Sequence, residues 1–67
     1  MILSLNGEER MVAPGSSIPD LLAILGLEAG RGVAVAVDGE VVPRSTWDDF
    51  PISEGMKVEV LRAVQGG

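Results

Sequence analysis

Residues 17–26 carry a helical stripe that is too short to be stable without a sheet beneath it. Ile18, Leu21, Leu22 and Leu25 fall at i, i+3, i+4 and i+7 and share one face of a helix. Ser16 and Ser17 offer an N-cap, Pro19 and Asp20 suit the first turn, and Gly26 stands where a C′ glycine ends a helix. Those signals leave room for only about two to three turns, below the length at which an isolated helix holds in water. The stripe must be buried against strands, and the remaining sequence supplies them.

Met1–Leu5 and Glu8–Val12 flank Asn6-Gly7, a pair that tolerates the positive φ of a type I′ hairpin turn. Alternation turns Met1, Leu3 and Leu5 toward the core and leaves Ile2 and Ser4 outside. In Val33–Val37 β-branched residues alternate with alanines, so the valines take one face while Ala34 and Ala36 take the other. Asp38-Gly39 then turns the chain into Glu40–Val42, a second hairpin. Residues 43–51 read as an irregular crossover, whose Trp47 and Phe50 are expected to plug the edge of the core rather than form a partner's hot spot. In the last strand, from Met56 to Arg62, Met56, Val58 and Val60 share the inner face with Lys57, Glu59 and Leu61 opposite. Leu61 is thus an apolar residue on an otherwise polar face.

One helix laid across one sheet buries all of these stripes. With a short first strand beside the last, the expected fold is α+β of the β-grasp type, a mixed sheet of about four to five strands under one main helix. Residues 1–67 make a single domain on this reading, with a flexible tail from about residue 63 to residue 67.

The composition removes several function classes. The chain has no Cys, His or Tyr, which excludes disulfides, zinc sites and a Cys or Ser–His nucleophile system. A net charge of −5 argues against nucleic acid and fits a protein partner with a basic surface. No apolar run approaches the length of a membrane span and no signal peptide is evident, so the cytoplasm is the expected compartment and no membrane partner is expected. The glycine-rich segment 26–32 leaves a helix and enters a strand, the reverse of a phosphate loop, and reads as a plain connection. Asp48 and Asp49 have no third ligand nearby and read as solvated carboxylates. An autonomous enzyme is not expected.

What remains is Ala63-Val64-Gln65-Gly66-Gly67. Glycine has no Cβ, so Gly66-Gly67 is thin and conformationally free. Fully extended, Val64 to Gly67 reaches at most about 13 to 14 Å beyond the domain, enough to place a carboxylate inside another protein's active site. A frayed end is the plainer alternative.

Across nearly its whole length the chain resembles the ThiS family, the ubiquitin-like sulfur carriers of thiamin (thiazole) biosynthesis. The matching stretches are Leu5-Asn6-Gly7-Glu8, Leu21-Leu22, Val33 to Trp47, and Val58-Glu59-Val60 running to Gly67. The specific parts are Val42-Pro43-Arg44-Ser45-Thr46-Trp47 and the Ala-Val-Gln-Gly-Gly end. Asp38-Gly39 stands where the family more often has Asn-Gly, and Gly55-Met56 where it often has Gly-Asp; neither touches the tail.

The resemblance implies a protein-borne sulfur donor, with no cofactor of its own. An adenylyltransferase of the ubiquitin-E1 type would use Mg-ATP to turn the Gly67 carboxylate into an acyl adenylate. A persulfide donor, such as a cysteine desulfurase system, would supply sulfur, and the Gly67 thiocarboxylate would deliver it to thiazole synthase. Gly66, Gln65 and Val64 would form the docking tail, with Leu61, Ala34 and Ala36 as candidate partner surface. Three alternatives stand beside it: the small subunit of molybdopterin synthase, a carrier for tRNA thiolation, and a ubiquitin-like protein modifier. The first tends to have prolines shortly before its final glycines, and Ala63-Val64-Gln65 has none.

Overall fold

The computed structural model describes residues 1–27 and 32–62. In chain order these form strand β1 (Ile2–Leu5), strand β2 (Glu8–Met11), helix α1 (Ile18–Ile24), strand β3 (Val33–Val37), strand β4 (Glu40–Val41), a 3-10 turn (Arg44–Thr46) and strand β5 (Lys57–Arg62). The strands make a five-stranded sheet in the order β2-β1-β5-β3-β4. Strand β5 lies at its centre, parallel to β1 and antiparallel to β3, while both hairpins are antiparallel. This is the mixed β-grasp sheet expected from the sequence, with the first and last strands side by side. The middle of the 26–32 connection lies outside the described residues.

Each hairpin turns where an Asx-Gly pair stands. Asn6 and Asp38 hold φ of 53° and 50°, followed by Gly7 and Gly39 at 83° and 87°. Positive φ at both central residues is the requirement of the turn that matches strand twist. The register follows from it, with Leu5 opposite Glu8 and Val37 opposite Glu40.

Helix α1 is set by its caps. The Ser17 hydroxyl accepts from the Asp20 backbone N–H at 3.3 Å, and the Asp20 carboxylate accepts from the Ser17 N–H at 2.9 Å. This reciprocal box satisfies two of the donors that a helix start leaves open. Gly26, at φ 75°, ends the helix in the left-handed region that a residue with a Cβ enters only with strain. Ser17→Ala is expected to lower stability by about 1 kcal/mol, read as a lower urea midpoint at unchanged slope. An unchanged midpoint would count against the box as a working cap.

Below the helix, Ile18, Leu21 and Leu22 pack with Leu3 and Leu5 of β1, Val35 and Val37 of β3, and Val58 and Val60 of β5. Burying each such side chain contributes roughly 1.5 to 3 kcal/mol, which is what holds so short a helix in place. Strand β4 ends one residue earlier than the sequence suggests. Val42 turns inward, and its carbonyl is taken by the Trp47 indole N–H at 2.9 Å. Trp47 is buried and Phe50 half-buried, so both close the core edge as expected. The Arg44 guanidinium lies over the indole, 5.7 Å from the ring centroid.

Candidate functional site

The helix covers one face of the sheet and leaves the other open. On β5, Val58 and Val60 go into the core, so Lys57, Glu59 and Leu61 stand on the open face. Pairing brings Ala34 opposite Leu61, Ala36 opposite Glu59, and Val41 opposite Ala36. Leu61 and Val41 are 63% and 74% exposed, with the two alanines between them leaving room for a partner's side chains. The three residues singled out from the sequence therefore form one patch, at the end of β5 nearest residue 63.

Val41 belongs to that patch and was not singled out. The signal was present: the two-residue Asp38-Gly39 turn fixes Ala36 opposite Val41, and Ala36 already faces outward. A second apolar pair, Ile2 and Met11, sits at the far end of the same face, opposite each other in β1 and β2. Ser4, Glu9, Lys57 and Glu59 lie between the two patches.

Chemistry-bearing side chains are scattered across the described residues. No three His, Cys, Asp or Glu among them are placed to hold a metal ion. Asp48 and Asp49 are exposed at the rim of a shallow cleft of about 350 Å³, shared with Ser16, Ser17 and Phe50. Among the described residues no helix is long and apolar enough to cross a membrane. Val64, Gln65, Gly66 and Gly67 lie outside the described residues. The strand leading to them is described through Arg62, which pairs with Val33.

The family model that matches residues 3–67 is that of the ThiS family. The chain belongs to the ThiS family. Its backbone superposes on the crystal structure of the thiamine biosynthesis protein (ThiS) of Geobacter metallireducens with a TM-score of 0.78, at 31% identity and over the full length of both chains. Against the NMR solution structure of a thiamine biosynthesis protein from the same organism the TM-score is 0.76, at 30% identity, covering all of this chain and 88% of the other. A thiazole synthase of Paramagnetospirillum magneticum is 36% identical to this ThiS-family chain over 67 residues. The chain spans 20% of that relative's length.

Proposed function

We propose that this ThiS-family chain carries sulfur for thiazole formation, as a thiocarboxylate on Gly67. Family membership supports the coarser statement, a sulfur carrier role in thiamine biosynthesis. The observation that supports thiazole synthase as the acceptor is the ThiS-like stretch within a relative named thiazole synthase. A carrier and its acceptor joined in one chain are held at high effective concentration, an arrangement useful only if the two work together.

The chemistry follows from the residues available. A carboxylate is a poor electrophile, so an E1-like adenylyltransferase first activates it: a Gly67 oxygen attacks the α-phosphorus of Mg-ATP and pyrophosphate leaves. The terminal sulfur of a persulfide then displaces AMP from the acyl carbon. A thiol cleaves the resulting S–S bond, leaving the thiocarboxylate here and a disulfide on the donor side. Both thiols come from partners, such as a cysteine desulfurase system, because this chain has no Cys. Mg-ATP is bound by the adenylyltransferase, and the carrier itself performs no catalysis. Gly66, Gln65 and Val64 thread the tail into each partner, and the reactions take place in the cytoplasm.

The open-face patch is the docking surface on this reading. Leu61→Arg is expected to weaken binding to the adenylyltransferase by about 1 to 2 kcal/mol, measured by titration calorimetry. Stability should stay within about 0.5 kcal/mol, as at most exposed sites. Undiminished affinity would remove Leu61 from the interface. To separate carrier from ubiquitin-like modifier, the chain is incubated in cell extract with Mg-ATP. Free thiocarboxylate without covalent protein adducts is expected; adducts through lysine would overturn the carrier role.

A further inference from the structure

Strand β5 outruns strand β1. Their parallel pairing stops at Leu5 opposite Val58, whereas β5 continues to Arg62. After Leu5 the chain turns away through Asn6, and at that point a side chain replaces the missing strand. The Asn6 N–H donates to the Val58 carbonyl at 2.9 Å, and the Val60 N–H donates to Asn6 Oδ1 at 2.7 Å. One residue extends the β1 side of the ladder by a further rung, across a sequence separation of 54 and in a half-buried setting. The other hairpin does the same at the start of β5. There the Asp38 N–H donates to the Lys57 carbonyl at 2.8 Å and the Lys57 N–H donates to Asp38 Oδ1 at 3.0 Å.

The turn alone does not need the acceptor. Positive φ at this position is met by glycine as readily as by asparagine. What asparagine adds is an oxygen aimed at Val60, two residues before the end of β5. From Val60 to Arg62 the strand pairs with β3 on one flank, while on the other Asn6 holds Val60.

We propose that Asn6 is a positioning residue for the reactive tail: its side chain holds the β1 flank of β5 at Val60 and so sets the direction in which the strand carries the Gly67 carbon into a partner's active site. This rests on the sulfur-carrier reading. A shift of about 1 Å at a reacting atom, caused from a distance, costs up to about a hundredfold in rate. Leu61 follows Val60 and shares any such shift, but its pairing with Ala34 keeps it in the docking patch. An apolar contact tolerates a small displacement better than a reacting atom does, so turnover should fall more than affinity.

The test compares Asn6→Gly, Asn6→Asp and Asp38→Gly in thiocarboxylate formation with the adenylyltransferase, Mg-ATP and a persulfide donor, with amide exchange measured in each. Asn6→Gly keeps the turn and removes the acceptor. It is expected to stay folded, to raise exchange at Val60 about tenfold, as for the loss of one net hydrogen bond, and to lower kcat about tenfold or more at similar KM. Asn6→Asp rebuilds the Asp-Gly pair used at the other hairpin and should restore both. Asp38→Gly loosens β5 at its start, far from the tail, and should leave kcat unchanged. Wild-type kcat in Asn6→Gly, or losses that merely track stability in both glycine variants, would overturn the role. If the wild-type chain itself gains no thiocarboxylate, the carrier reading falls and this role falls with it.

Discussion

A chain lacking Gly67 is expected to form no thiocarboxylate and to unfold at the same temperature as the full chain. The two halves of this result have separate causes. Among the described residues the buried core runs from Leu3 to Val60, and glycine has no side chain to bury, so trimming residue 67 should leave stability unchanged. The deletion still leaves a carboxylate, on Gly66, with unchanged intrinsic reactivity. What changes is reach, by about 3.3 to 3.6 Å for one extended residue. That exceeds the roughly 1 Å misplacement that already costs about a hundredfold, so thiocarboxylation should drop below detection. Mass spectrometry of the tail and a thermal melt read the two halves. Retained thiocarboxylation would show that position along the tail is not what the activating enzyme recognises.

The largest structural effect is expected at Leu22, where Leu→Ala should cost about 2 to 5 kcal/mol. Leu22 is fully buried between α1 and the sheet. A domain of 67 residues has only roughly 3 to 10 kcal/mol of total stability at the usual value per residue. The variant should therefore lose a large share of its stability, and at the low end of that range it populates the unfolded state without denaturant. Urea unfolding should show a much lower midpoint with a similar slope. Helix α1 has 7 residues and cannot persist on propensity alone, so losing its central contact costs helix and sheet together. A loss below about 1 kcal/mol would mean that the site collapses around the gap and that the helix is held elsewhere.

Local rules made most of this fold legible. Ser17, Pro19 and Gly26 bound the helix, Asn6-Gly7 and Asp38-Gly39 bound the hairpins, and the Val-Ala alternation of residues 33–37 gave the faces of β3. Each acts within a few residues of itself, so each can be read along the chain. The outward placement of Leu61, Ala34 and Ala36 followed from the same period of two, and the structure places them together. Less accessible were features created by topology. The bond from Val60 to Asn6 joins residues that meet only because β1 and β5 are neighbours, and nothing near Asn6 in sequence announces it. Residue type alone favours strand at Val42. The Val42 N–H still donates to the Val35 carbonyl at 2.8 Å, but its own carbonyl accepts from the Trp47 indole, and the strand ends at Val41. Met11 is legible in the same way as Val41, since the two-residue Asn6-Gly7 turn sets it opposite Ile2, which already faces outward.

The central claim, that Gly67 carries sulfur, is tested most directly by the intact mass of the chain. The chain is incubated with the E1-like adenylyltransferase, Mg-ATP and a persulfide donor, with a second carrier present to prove the enzyme competent. Replacement of one oxygen by sulfur, localised to the peptide containing Gln65, Gly66 and Gly67, is the predicted result. An unchanged mass beside a fully converted second carrier would contradict it.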